Sequence, residues 1–384
     1  MKRMGKLLVL AMLVLSILAV SLTGCASFTE FEWSGEERGR VDLTLSVDED
    51  GNFTILQMAD IQFTDAIGAN SVEVMDASIE SAKPDLIVLT GDQISPEYLI
   101  GQKGKAKKIL NQITSYFDSK RIPWTAEFGN HDGACGVISK KEMLEIYQKS
   151  AYFIGGLEEG EYWESYINED EDTYCNYFLP IYDASKTEIV HGVILIDCAT
   201  SLTSPYKGFT KGQIDFYNEM SEKYKGVEFS MYTHEPTQEF QTMYDNREDT
   251  SIVPEFKGEI ESPEDGKCYY PTKDPEMNEY FKESLIANKN VKGIYVGHDH
   301  LSNFAGIYNI ADDYSMLLAY GRMSSYGYGE WKYFMFSASK RKEYKNYPRG
   351  ARVVSLSEGN YSTYEIYDAK NGDGAMFERN RIYL

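Results

Sequence analysis

The sequence predicts an α/β fold carrying two β-sheets. Short apolar runs rich in β-branched and aromatic residues each end in polar groups able to bind a ligand. Stretches of helical periodicity alternate with them, and the strand-like runs are numerous enough for two sheets.

In chain order, Phe53 to Met58 is a strand leading to Asp60, and Asn70 to Ala82 is a helix carrying Val74 and Ile79 that stops before Pro84. Asp85 to Leu89 leads to Asp92, Lys103 to Phe117 is helical, Trp124 to Phe128 leads to Asn130, and Lys140 to Lys149 is helical again. Asn176 to Tyr182 and Ile189 to Asp197 add strands; a helix over Gln213 to Tyr224 precedes the strand Val227 to Tyr232, which leads to His234. A helix over Glu276 to Asn288 precedes Val291 to Val296, which leads to His298, and further strands fall at Met316 to Tyr320, Ala351 to Leu356 and Tyr361 to Tyr367. Polar groups beyond the carboxyl ends of strands lie where layered α/β sheets bind ligands. The stretch Glu235 to Pro275 breaks the rhythm with Pro236, Pro254, Pro263, Pro271 and the acidic run Glu261 to Asp265, and is expected to be an insertion, either a wall of the cleft or a solvated loop.

The first residues carry an export signature: Lys2, Arg3 and Lys6, the apolar run Leu7 to Val20, then Leu22-Thr23-Gly24-Cys25. That run is short for a spanning helix, and small residues before a cysteine resemble the lipoprotein processing box, with Cys25 the lipid-bearing first residue after a signal of residues 1–24. A retained membrane anchor is the other reading, and both place residues 26–384 outside the cytoplasm. Residues 25–40 read as a polar tether and 41–384 as one elaborated domain, because no Gly/Ser or Pro linker divides them. A monomer is expected. With 38 basic against 60 acidic residues, net charge -22, most of the surface repels a polyanion such as DNA. Export permits disulfides among Cys135, Cys175, Cys198 and Cys268, whose three pairings the sequence does not separate.

Function concentrates in five segments: Asp60-Ile61-Gln62, Gly91-Asp92, Gly129-Asn130-His131-Asp132, His234 and Gly297-His298-Asp299-His300. The chain has five histidines, and four of them fall here, which sets these segments apart from scattered surface histidines; His191, inside a strand-like run, reads as structural. The order and spacing resemble the calcineurin-like metallophosphoesterase superfamily, whose pattern is D-x-H, GD, GNH[DE], H and GHxH. Downstream, Tyr320-Gly321-Arg322, Tyr326-Gly327-Tyr328-Gly329 and Arg349-Gly350-Ala351-Arg352-Val353 resemble the branch related to the small purple-acid-phosphatase-like proteins of plants and fungi. The resemblance implies a four-layer αββα sandwich, two mixed sheets flanked by helices, with a dinuclear metal site at the carboxyl ends of the strands.

By the same resemblance Asp92 bridges two divalent ions about 3.5 to 4 Å apart, with Asp60, Gln62 and His300 completing one and Asn130, His234 and His298 the other. A hydroxide between the ions attacks phosphorus, and His131 beside the phosphate protonates the leaving group or stabilises its charge. One branch orients that histidine with an aspartate three residues after the GD aspartate; here that place is Ser95, so Asp132 or a distant carboxylate is expected instead. The position is not tyrosine either, which argues against a charge-transfer ferric site. Gln62 stands where the superfamily usually has histidine; an amide oxygen is a harder, weaker donor, so Mn or Mg is favoured over Zn or Fe. Arg322 either grips substrate phosphate through its fork or makes an ordinary salt bridge. The resulting expectation is a lipid-anchored phosphoesterase acting on a small phosphate ester, a monoester before a diester such as a nucleotide or phospholipid headgroup. A non-catalytic metal-binding lipoprotein is the rival.

Overall fold

A run that is apolar at every position, such as Leu86 to Leu89, needs cover on both faces, and the fold supplies it. A computed structural model describes residues 41–199, 208–258, 274–327, 347–357, 359–368 and 376–384. Among them, β2 (Phe53–Ala59), β3 (Leu86–Thr90) and β4 (Trp124–Glu127) run parallel, with Leu56 opposite Ile87 and Leu89 opposite Ala126. Beyond β2 the sheet continues antiparallel through β13 (Gly350–Ser357), β14 (Asn360–Asp368) and β15 (Met376–Tyr383), giving the order β15-β14-β13-β2-β3-β4.

The second sheet is centred on three parallel strands, β7 (Ile189–Ile196), β8 (Glu228–Thr233) and β10 (Val291–Val296). On one side lie β6 (Thr173–Tyr182), β5 (Glu164–Asn168) and the short β1 (Leu45–Ser46); on the other lie β12 (Tyr314–Tyr320), β11 (Ala305–Ala311) and β9 (Glu255–Lys257). The sheets face one another across a core that is not wholly apolar. Gln57 Nε2 on β2 donates to Thr90 Oγ1 at 2.9 Å and, across the interface, to the Val296 carbonyl of β10 at 3.0 Å.

Helices close the outer faces. Against the first sheet lie α1 (Ala69–Ala82), which buries Val74 and Met75, and α2 (Lys103–Lys120), whose Phe117 ring lies 5.4 Å from Trp124 of β4. With them is α3 (Lys140–Tyr147), opened by a capping box between Ser139 and Glu142. Against the second sheet lie α4 (Lys211–Lys223), α5 (Gln238–Asp245) and α6 (Pro275–Asn288), whose Phe216, Phe240 and Phe281 join Phe229, Ile294 and Met316 in one cluster. The expected four layers, helix, sheet, sheet, helix, are therefore the architecture.

Beyond the strands and helices expected from the sequence lie the edge strands β1, β5, β9 and β15, the inner strand β11 and the helix α5. β15, with the sequence Met-Phe-Glu-Arg-Asn-Arg-Ile-Tyr, borders the first sheet and β5 the second, so neither needs an apolar run. The insertion expected over 235–275 is in part regular: α5 packs Phe240 and Met243 into the core, and β9 pairs antiparallel with β11. The remainder of it, 259–273, lies outside the described residues, as do the signal, the tether, Cys25, Cys268, Tyr328 and Gly329. Cys135 and Cys175 are unbridged thiols.

Candidate metal centre

Three parallel strands of one sheet and two of the other end on the same side of the sandwich, so the five polar segments converge. Asp60 and Gln62 follow β2, Asp92 follows β3, Asn130 and His131 follow β4, His234 follows β8, and His298 and His300 follow β10. Backbone bonds lace the turns together: Gln62 N to Asp92 O at 2.9 Å, Gly91 N to Glu127 O at 3.2 Å and Gly297 N to His234 O at 2.9 Å. Two glycines are required by this crowding. A Cβ on Gly91 would lie 2.2 Å from His234 Nδ1, and one on Gly129 would lie 2.2 Å from Asp92 Oδ1.

The side chains meet at Asp92, which is buried and offers both oxygens. Oδ1 accepts from the His131 amide at 2.9 Å, while Oδ2 accepts from Gln62 Nε2 at 3.0 Å and lies 3.4 Å from His234 Nε2. Burial pushes this carboxyl up, but the charges of His234 and His131 outweigh it and hold Asp92 well below the usual carboxylate range. His234 Nδ1 faces the Thr90 carbonyl at 3.1 Å, a contact that puts the proton there and turns Nε2 inward. That Nε2 lies 3.0 Å from Asn130 Oδ1 and 3.2 Å from His298 Nδ1, which is itself 3.0 Å from Asn130 Oδ1. Burial, then the neighbouring His234, push His298 down to about 3, so it is a neutral imidazole with a lone pair to give. On the other flank His300 Nε2 lies 3.4 Å from Asp60 Oδ1, and the His298 amide donates to Asp60 Oδ2 at 3.0 Å.

Two observations show that this set fits divalent cations. Asp60 Oδ1 and Gln62 Oε1 are buried with no hydrogen-bond partner, a cost that an ion would remove. Asp60, Asp92 and His234 also offer ligand atoms that all lie within 4.8 Å of one another. The backbone is bent to achieve this: Asp60 (φ 52), Gln62 (φ 39), Asp92 (φ 53) and His298 (φ 70) all occupy the left-handed region. Gln62 donates its amide nitrogen to Asp92 and leaves its oxygen unsatisfied, so a half-turn of the amide is enough to present the oxygen to an ion.

His131 stands apart from this cluster. Its ring is 20% exposed, with Nε2 3.8 Å from Asp92 Oδ2 and Nδ1 3.0 Å from Glu97 Oε2. Burial lowers the imidazole, yet Asp92 and Glu97 outweigh it and raise His131 to about 9. Glu97 carried no sequence signal. It lies in the tight turn Pro96–Tyr98, two residues past the Ser95 position, and its longer side chain makes up the displacement.

Two expectations are corrected. Asp132 does not orient His131: its carboxylate is buried and accepts from the amides of Gln93 (3.1 Å), Ile94 (3.3 Å) and Gly129 (3.0 Å), bracing one ligand turn against another. Burial, then the charge of Asp92, push it up to about 7. Arg322 is not offered to a substrate: it is fully buried, with Nη2 on Glu365 Oε2 at 3.0 Å, Nη1 on the Pro348 carbonyl at 2.8 Å and its guanidinium over the Tyr347 ring. Glu127 on β4 was also not foreseen; it is a buried carboxyl with neither oxygen hydrogen-bonded, pushed well up by burial.

The family model for calcineurin-like phosphoesterases matches residues 53–302, a span that holds every candidate ligand. The chain belongs to that family. Among curated proteins it is similar to probable inactive purple acid phosphatase 29 of Arabidopsis thaliana, 27% identical over 67% of this chain and 69% of that protein. It is also similar to probable inactive purple acid phosphatase 14 of the same plant, 25% identical over 82% of this chain and 80% of that one. Among solved structures, a dimetal phosphatase from Danio rerio superposes with a TM-score of 0.52 at 12% identity, covering 87% of this chain and 99% of that one, a likeness of fold. The calcineurin-like phosphoesterase fold thus carries here a candidate metal-ligand group at the carboxyl ends of its strands.

Proposed function

We propose that this family member is a dinuclear, metal-dependent hydrolase of a small phosphate ester, a monoester in preference to a diester, working outside the cytoplasm. The carrying observation is the Glu97–His131 pair at 3.0 Å, a positioned imidazole at the mouth of the centre that the ligand cluster itself does not need. Asp60, Gln62 and His300 would hold one divalent ion, Asn130, His234 and His298 the other, and Asp92 both, with Mn favoured by the Gln62 amide and Mg, Fe or Zn as alternatives. When bound, such ions activate a water and neutralise charge on phosphoryl oxygens. His131 keeps a proton near neutral pH and gives it to the departing oxygen; Glu97 holds the ring on that line and stabilises its charge. Asp132 fixes the turns from which Asn130 and Asp92 project.

Gln62 supports a second reading, a metal-binding lipoprotein without turnover, because its amide now donates to the carboxylate that should bridge the ions. One experiment separates the two. The protein is stripped of metal, reloaded with Mn, Mg, Zn or Fe, and offered matched chromogenic monoesters and diesters. Metal-dependent turnover, with Glu97→Gln slowing esters of poor leaving groups by about a hundredfold at unchanged metal content, supports the enzyme. Two bound ions and no turnover with any metal would leave the non-catalytic reading. The extracytoplasmic placement rests on the basic start Lys2, Arg3 and Lys6, the apolar run Leu7 to Val20 and the Leu22 to Cys25 box; the lipid rests on the box alone, and an unmodified first peptide in mass spectrometry of the mature protein would refute a lipid on Cys25.

A further inference from the structure

The turn that carries Glu97 also presents an unusual surface. Pro96 and Leu99 are buried and pin it to the body, while Tyr98 and Ile100 on either side of Leu99 are 42% and 66% exposed. Large hydrophobics this exposed are few among the described residues, and no other two lie so near each other in sequence. Gly101 (φ +74) then turns the chain into α2, which begins Lys103-Gly104-Lys105-Ala106-Lys107-Lys108. The side chains of Lys103, Lys105 and Lys107 are 55%, 38% and 45% exposed, and Lys108 is exposed as well. Lys103 and Lys107 share the single carboxylate of Glu142, two cations to one anion, and Lys105 faces Asp65.

We propose that Tyr98, Ile100 and the lysines at the start of α2 form a docking surface for an anionic lipid bilayer, seating the mouth of the metal centre on it. Aromatic and aliphatic tips held rigid beside lysines suit the boundary between headgroup and acyl chain. Charge selects the occupant and its orientation: on a chain of net charge -22, an anionic surface repels most approaches and attracts this one. Because Glu97 in the same turn touches His131, a docked molecule presents that histidine to phosphate esters exposed at the lipid surface. This last consequence rests on the hydrolase reading; the docking itself does not.

The test is hydrogen–deuterium exchange of the full chain, free and with vesicles of phosphatidylcholine alone or mixed with phosphatidylglycerol, read on peptides covering residues 96–106. Exchange there should slow by about tenfold on the phosphatidylglycerol vesicles, recover at high salt, and show no slowing on phosphatidylcholine alone. Tyr98→Ser/Ile100→Ser, at exposed positions, should lose the protection while the rest of the exchange map is retained. Unchanged exchange of this segment on anionic vesicles, or equal protection on both lipids, overturns the proposal. Neither readout requires turnover or bound metal, so a failure here and a failure of the hydrolase reading are told apart.

Discussion

Glu365 and Asp92 are buried carboxylates in the same sandwich, and their surroundings are opposites. Both oxygens of Glu365 are paired: Oε1 accepts from Arg352 at 3.1 Å, and Oε2 from Arg322 and Arg379, each at 3.0 Å. Arg352 goes on to donate to the Tyr320 carbonyl at 2.6 Å, tying the two sheets together. Around Asp92, Asp60 Oδ1 and Gln62 Oε1 accept no hydrogen bond, two imidazole nitrogens face each other at 3.2 Å, and four side chains sit on left-handed backbone. Closed pairing marks a group that holds the fold. Unanswered acceptors under strain mark a group that waits for something else.

The contrast is breakable, most severely at Asp60. Asp60→Asn keeps an acceptor for the His298 amide and suits φ 52, but removes the charge. Metal affinity and turnover should fall by on the order of ten-thousandfold while the metal-free protein melts no lower; calorimetric titration beside a melting curve decides, and a large drop in melting temperature would sink the distinction. Glu365→Gln should do the reverse, costing about 3–5 kcal/mol by leaving three guanidiniums unbalanced, with metal uptake unchanged. Denaturant titration reads it, and a variant that keeps its stability but loses metal would merge the two clusters.

His191 sharpens the comparison from the amino end of the strands. Its Nε2 is 2.9 Å from Ser230 Oγ, and burial, with the charge of Lys292, pushes it down to about 3. The unfolded chain therefore takes up a proton first: stability is full above about pH 6.5 and is lost as pH falls toward 3, about 2 kcal/mol of it by pH 5. His191→Gln should flatten the stability slope between pH 5 and 6.5; an unaltered slope would show that His191 is not the group responsible. The smallest effect is at Gln62, where Gln62→His should tighten one ion about tenfold without abolishing turnover. Unchanged affinity would remove Gln62 from the ligand set.

The candidate ligand residues were legible as a group because they follow strands whose apolar runs announce them, as Val291 to Val296 does for His298. Glu97 was not legible: nothing in Ser-Pro-Glu-Tyr says that a tight turn swings its third residue onto an imidazole 34 positions later. Asp132 misled because its motif position suggests chemistry, whereas three amides that no sequence displays had already claimed it. Arg322 depended on Glu365, 43 residues on and in a strand that reads as ordinary core. Order along the chain reveals who stands at the end of a strand; it does not reveal who turns to face whom.

The His298 amide closes on Asp60 across 238 positions of chain, so the last ligand turn meets the first only when both sheets exist. Loops of that span are among the costliest to close and form late. Cation binding would then be an event of the finished molecule. It would act on the rate at which the native state opens and hardly at all on the rate at which the chain finds it. A metal held there would be a latch fitted after the door is hung, and its scarcity would shorten the lifetime of the protein without hindering its birth.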